Sequence, residues 1–185
     1  MPCGESAFIY YNMDNYYTIE EKYLQAVAEM NYGETPLSLK LLNEILAEDP
    51  SFVRAHYQIA KLYYYDLHDY QSAGYHFKLC TELEPTFPDM YFHYISLLLF
   101  LNMERQLNAI AQKAIAIPGV YVSAIYNLMG LCAEKNLKLN EALGFYQQAL
   151  MLVTSNDKKD EIESNMSRIR FKLEKGKTYS YHFSA

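Results

Sequence analysis

The sequence contains little cysteine and no long apolar run. Its three cysteines, Cys3, Cys80 and Cys132, are too far apart for a C-x-x-C pair, and their number is odd. We therefore expect free, mostly buried thiols in a reducing compartment, which favours a cytoplasmic location. The longest apolar run, at 94–101, is much shorter than the ~20 residues of a membrane-spanning helix. The N-terminus has neither the basic region nor the apolar core of a signal peptide, so the sequence predicts no membrane association.

The sequence also lacks an excess of positive charge. It has 16 Lys and Arg against 22 Asp and Glu, a formal net charge of −6. Proteins that bind nucleic acid cluster their lysines and arginines on one surface, so this composition argues against a nucleic-acid partner. Hydrophobic residues make up 51% of the 185 residues. A chain of this length and composition predicts one ordered domain with a real core.

Motifs for catalysis are missing as well. The sequence has no Gly-rich phosphate loop, no H-E-x-x-H and no G-x-S-x-G. His76 and Cys80 stand four residues apart, as two metal ligands on one helical face would, but no further ligand follows at motif spacing. Cys80 also falls where the helical pattern described next requires a small core residue. We therefore predict no enzyme activity, no cofactor and no metal site.

A pattern of small and large residues recurs along most of the chain. Read from the C-terminal end, small or apolar residues recur at intervals of 35, 34 and 35 residues: Ala142, Leu107, Ala73 and Ser38. From each of them, steps of four and then three residues reach the next positions of one helical face. The resulting frames are Ala142-Tyr146-Ala149, Leu107-Ala111-Ala114, Ala73-Phe77-Cys80 and Ser38-Leu42-Ile45. A second helical face precedes the last three frames, with Tyr57, Tyr91 and Tyr126 at its start.

This pattern resembles the tetratricopeptide repeat, a helix–turn–helix unit of 34 residues with the signature W-x2-L-G-x2-Y, A-x3-F and P. The resemblance covers residues 19–154 as four repeats, at about 19–52, 54–87, 88–121 and 123–156. Two departures from the signature stand out, because Lys61 occupies a small-residue position and Thr154 replaces the last proline. The resemblance implies an α-solenoid whose first helices line a concave groove that binds peptides.

The physical reason for the spacing is close packing of antiparallel helices. Two helices approach closely only where one presents small side chains, and Gly130 and Ala142 serve that approach. Stacked helix pairs share a continuous core, and the last pair then needs a cover with a polar outer face. Residues 157–175 predict such a capping helix, with an apolar stripe of Ile162, Met166, Ile169 and Leu173. The predicted fold is all-α: a solenoid of four helical repeats with a C-terminal capping helix.

The predicted groove positions lie on the first helices, beside the packing stripe. They are Gln58, Leu62, Tyr65, Asp89, Phe92, Ser96, Leu99, Asn127, Leu131 and Glu134. This set is apolar and aromatic with some amides and acids, and it holds no Lys or Arg. Relatives that grip the C-terminal carboxylates of chaperones use cationic donors at matching first-helix positions. The composition therefore argues against that kind of chaperone binding, and it makes Phe92 the candidate anchor at the centre of the groove.

Two functions from different classes fit the repeat pattern and the groove composition. The first is a non-catalytic protein–protein interaction module, a scaffold or adaptor, that takes an apolar or amphipathic peptide or helix in its groove. The alternative is a structural or self-assembly protein whose aromatic termini fill its own groove or a neighbour's. The termini in question are a Tyr-rich arm at 1–18 and an aromatic tail at 176–185, in which Tyr179, Tyr181 and Phe183 alternate with other residues. Homo-oligomerisation and the identity of the protein partner stay open.

Overall fold

The chain is helical over most of the residues that the computed structural model describes, 18–177. Nearly all of the predicted N-terminal arm and C-terminal tail, with Cys3, lies outside this range. Within it no residue is in a β-strand and no helix is long and apolar enough to cross a membrane. The helices are α1 (Ile19–Tyr32), α2 (Thr35–Glu48), α3 (Val53–Lys61), α4 (Tyr70–Leu83), α5 (Asp89–Phe100), α6 (Glu104–Ala114), α7 (Val122–Lys135), α8 (Leu139–Leu152) and α9 (Asn156–Lys177).

Three of the helix pairs close through the same kind of turn. His68, Asn102 and Leu137 each stand in the middle of a three-residue turn with φ of 55°, 57° and 59°. They join the π-helical continuation of α3 (Leu62–Asp66) to α4, α5 to α6 and α7 to α8, so the turn recurs in the second, third and fourth repeats. Asn tolerates this left-handed conformation, whereas leucine adopts it at a cost of about 1–2 kcal/mol.

Helices α7 and α8 approach each other closely at a glycine. A Cβ atom built on Gly130 would lie 2.5 Å from Cε1 of Tyr146, so only glycine fits at this position. Tyr146 is fully buried, and its hydroxyl donates a hydrogen bond to Glu134 Oε2 at 3.0 Å. The predicted reason for Gly130 is thereby confirmed: its missing side chain lets a large aromatic ring pack against the neighbouring helix.

The apolar faces of the four pairs stack into a core that runs along the chain. Leu42 and Ile45 pack with Ile59, so the first pair continues into the second, and Phe77 stacks on Tyr94 to join the second pair to the third. The last pair is covered by α9, whose Ile162, Met166 and Ile169 are buried among Ala142, Tyr146 and Ala149. The predicted all-α solenoid of four helical pairs with a capping helix is confirmed.

A π-helical turn, Leu62–Asp66, continues α3 and alters the residues that face outward. The backbone N–H of Leu67 donates to the carbonyl oxygen of Leu62, five residues back, at 3.0 Å. One extra residue in a helical turn rotates everything after it, and such turns occur often at functional sites. Leu62, the first residue of the turn, is buried, whereas Tyr65 is 46% exposed.

Candidate functional site

Two neighbouring cavities lie along α5 and α7, and α9 forms their other wall. The first has a volume of about 310 Å³ and the second about 580 Å³. Leu131 lines both, so we treat the two cavities together as one groove. The groove follows α5 from Phe92 to Phe100, which is about 12 Å at 1.5 Å per helical residue.

The first cavity is mainly apolar. Its lining includes Phe92, Tyr121, Asn127, Leu128, Leu131 and Ile162. Phe92 is 43% exposed, and its ring packs edge-on against the imidazole of His93 with 5.5 Å between ring centroids. A phenyl ring held in this way offers apolar area to a partner without needing to reorganise.

The second cavity is more polar. Tyr64, Ser96, Leu99 and Phe100 form its wall on the side of α5, and Glu134, Lys135, Arg168 and Lys172 carry the charge. Arg168 donates two hydrogen bonds to Glu134, from Nε at 2.8 Å and from a terminal nitrogen at 2.7 Å. Lys172 Nζ donates to the same carboxylate at 2.7 Å. These bonds attach α9 to α7.

The carboxylate of Glu134 is strongly held in its charged form. Hydrogen bonds from Arg168, supported by those from Lys172 and Tyr146, lower its pKa to about 2. Asn127, the other predicted groove residue near α9, donates to Glu161 at 3.0 Å and accepts from Asn165 at 3.1 Å. Both side chains therefore already have partners in the chain's own capping helix, which the helical pattern of the first helices does not reveal.

Tyr65 and His93 extend the aromatic surface from the groove toward α3. The Tyr65 hydroxyl and His93 Nδ1 are 2.8 Å apart, and Tyr64 and Tyr65 have ring centroids 4.4 Å apart. Burial, together with the nearby Lys61 ammonium, lowers the pKa of His93 to about 4, so this imidazole is neutral at pH 7. A continuous set of rings thus leads from the π-helical turn to Phe92.

The structure places the ten predicted groove residues in different surroundings. Phe92 and Asn127 line the first cavity, Ser96, Leu99 and Glu134 line the second, and Leu131 lines both. Tyr65 is exposed beside His93, and Asp89 is exposed at the start of α5.

Gln58 and Leu62 were predicted as groove surface, but both are buried, at 8% and 1% exposure. Gln58 Nε2 donates to the Tyr23 hydroxyl at 3.1 Å, so α1 covers it. Leu62 packs into the core of the first two repeats with Ile59. Neither side chain presents the open surface that the repeat pattern predicted.

The two residues with metal-ligand spacing, His76 and Cys80, face different partners. His56 Nε2 lies 3.0 Å from the Pro50 carbonyl oxygen, which can only accept, so that nitrogen carries a proton. The other nitrogen of His56, Nδ1, lies 2.9 Å from His76 Nδ1. Cys80 lies in the core, where burial raises the pKa of its thiol to about 12. Among residues 18–177 no group of three His, Cys, Asp or Glu side chains is arranged to hold a metal ion.

Comparison with known proteins shows the fold. The sequence matches no protein-family model and no curated protein. Among solved structures, the chain is similar to PilF of Pseudomonas aeruginosa, with a TM-score of 0.71 and 16% identity over 85% of this chain and 69% of that one. It is also similar to MamA from Desulfovibrio magneticus, with a TM-score of 0.65 and 15% identity over 88% and 97% of the two chains. A thermophilic TPR protein of Thermus thermophilus gives 0.63 and 16% over 80% and 81%. The chain therefore has the fold of tetratricopeptide repeat proteins.

Proposed function

We propose that this chain is a non-catalytic protein-interaction module that binds an apolar or amphipathic peptide or helix in the groove along α5 and α7. The observation that carries the proposal is the position of Phe92. It is 43% exposed at an apolar cavity, although it belongs to a helix whose neighbouring residues Met90, Tyr91 and Tyr94 are buried. Aromatic anchors near the centre of an interface usually supply much of its binding energy.

The dimensions of the groove support a peptide rather than a flat protein surface. A length of about 12 Å along α5 accommodates two turns of helix or about four extended residues. The first cavity, at about 310 Å³, has room for apolar side chains between Leu128, Leu131 and Ile162. Peptides that dock as helices in grooves present such side chains from one face.

Replacement of Phe92 by glutamate tests the proposal. A charged side chain at a partly buried anchor should weaken partner capture at least tenfold, which corresponds to about 1.4 kcal/mol. The matched control is Phe171→Glu, because Phe171 is 57% exposed on α9 and lines neither cavity. Proteins that copurify with the wild type and with Phe171→Glu should be depleted from Phe92→Glu.

Circular dichroism of both variants separates binding from folding. If Phe92→Glu loses its helical signal, Phe92 is a core residue and the site is wrongly placed. If Phe92→Glu stays folded and retains the same partners as the wild type, the groove is not where partners bind.

A further inference from the structure

The two cavities of the groove differ in charge. In the first, Lys158 and Glu161 form an ion pair at 3.2 Å, and Glu161 also accepts a hydrogen bond from Asn127. The charges that line this cavity therefore compensate each other. In the second cavity the described lining residues include three cationic side chains and one carboxylate, Glu134.

The cations of the second cavity keep donors for a further acceptor. A guanidinium has five N–H donors and an ammonium has three. Arg168 uses two of its donors on Glu134, and Lys172 uses one. Lys135 Nζ donates to the carbonyl oxygen of Leu99 at 3.0 Å. Because that oxygen carries no formal charge, it does not neutralise the Lys135 ammonium. The side chains of Arg168 and Lys172 are 42% and 44% exposed, so an incoming group can reach them.

The positive charge of the second cavity is confined to that end of the groove. The whole chain carries a formal net charge of −6, so its overall field does not attract anions. An acidic peptide segment would therefore gain binding energy from the cations of the second cavity only when it lies in the groove. Short-range charge pairing of this kind selects among partners and fixes the register in which they lie.

We propose that the groove selects a partner segment with an apolar side chain in the first cavity and one or more acidic side chains in the second, received by Lys135, Arg168 and Lys172. The inference rests on the proposed function, because it gives the occupant of the same groove a chemistry and a spacing between its apolar and acidic side chains. Phe92 and Leu99, which line the two cavities, are seven helical residues apart, or about 10 Å. The acidic side chain therefore follows or precedes the apolar one by about three residues in an extended peptide and by about seven in a helix.

Selection from a displayed library of random peptides tests the inference with a defined probe. Each peptide is about twelve residues long, because that length exceeds the length of the groove. The library is selected in parallel on the full-length wild type, on Phe92→Glu and on the control Phe171→Glu. We expect the wild type and the control to enrich peptides with Asp or Glu at the stated distance from an aromatic or aliphatic residue. We expect Phe92→Glu to lose that pool.

The outcomes separate the two proposals. A pool that depends on Phe92 but has no excess of acidic residues overturns the charge inference and leaves the groove in place. The same pool on the wild type and on Phe92→Glu, or no enrichment at all, overturns the proposed function and this inference with it.

A second measurement locates the carboxylate contact. One enriched peptide and its analogue with Gln for Glu are titrated by fluorescence anisotropy against the wild type, Lys135→Gln and Lys113→Gln. Lys135→Gln removes the charge but retains an N–H donor, and Lys113 stands in the last turn of α6, outside the groove. We expect Lys135→Gln to weaken the acidic peptide at least threefold and to leave its Gln analogue unchanged, with no effect of Lys113→Gln. Equal affinity of the two peptides for the wild type overturns the inference.

Discussion

Gly130 and Gly144 are both helical glycines, but their surroundings are opposite. A Cβ atom on Gly130 would meet the buried ring of Tyr146 at 2.5 Å, whereas one on Gly144 would have nothing within 4 Å. Alanine at 144 should raise the free energy of unfolding by up to about 1 kcal/mol, because it is the better helix former. Alanine at 130 should lower it by about 1–3 kcal/mol, since overpacking outweighs that propensity.

Urea unfolding followed by circular dichroism checks this pair of variants. Each glycine serves as the control for the other, because the substitution and the secondary structure are the same. A Gly130→Ala variant as stable as Gly144→Ala would show that the Tyr146 ring can move aside.

Leu137 lies in a turn whose equivalent position in the previous repeat is Asn102. Its φ is 59° and its side chain is 83% exposed, so replacement removes little packing. Leu137→Asn should raise the free energy of unfolding by about 0.5–1 kcal/mol, because Asn accepts the left-handed conformation more readily. The control is Leu67→Asn, at an exposed turn residue with φ of −94°. If both asparagine variants shift the urea midpoint equally, backbone conformation is not the cause.

Residue roles that depend on helical spacing could be predicted from the sequence. The steps of four and three residues identify Gly130 on α7 and Ala142 and Tyr146 on α8 as packing positions, and the structure has them in contact or buried. The exposure of Gln58 could not be predicted in this way. Its burial comes from Tyr23, 35 residues away, and a side-chain contact at that distance leaves no mark in the local pattern.

At the scale of the element, α9 is attached to the solenoid by a carboxylate that is sensitive to acid. The pKa of Glu134 is lowered from an ordinary 4.5 to about 2, chiefly by Arg168. A carboxyl whose folded-state pKa is lowered contributes stability above its unfolded pKa and loses it as pH falls through the folded value. The attachment of α9 should therefore be complete above about pH 5 and should weaken progressively between about pH 4.5 and pH 2.

Hydrogen exchange resolved by helix measures this attachment. As the pH falls below 4.5, amides of α9 should lose protection relative to those of α3 and α4. In Glu134→Gln the protection of α9 at about pH 6 should already be lower by about 1–3 kcal/mol, because hydrogen bonds to a charged group are lost. The control Glu141→Gln alters an exposed acid in the first turn of α8. Unchanged protection of α9 in Glu134→Gln would mean that its apolar stripe alone holds it.

The existence of α9 could be predicted from its apolar stripe, but its part in the groove could not. The stripe of Ile162, Met166 and Ile169 shows which face is buried and says nothing of the opposite edge. Arg168 and Lys172 reach Glu134 across 34 and 38 residues of sequence. The π-helical turn at Leu62–Asp66 could not be predicted from the sequence either, because a single displaced hydrogen bond leaves the composition of the helix unchanged.

At the scale of the whole molecule, the repeat makes the fold predictable and the site less so. Intervals of 34 and 35 residues specify four helix pairs, because each pair can bury its apolar face only against the next. The position of the groove depends instead on where the stack of helix pairs ends. Its second wall is α9, which follows the last repeat and does not share the repeat pattern.

The capping helix α9 is also synthesised after all four helix pairs, the last of which it covers. A chain emerges from synthesis N-terminus first, at about 5–20 residues per second. The 22 residues of α9 therefore follow the last helix pair by roughly one to four seconds. During that interval Tyr146 and Ala149 belong to a pair that is complete in sequence but still open on one side. Until α9 packs on it, the last repeat of the newborn protein has an uncovered apolar side that chaperones and other nascent chains can contact.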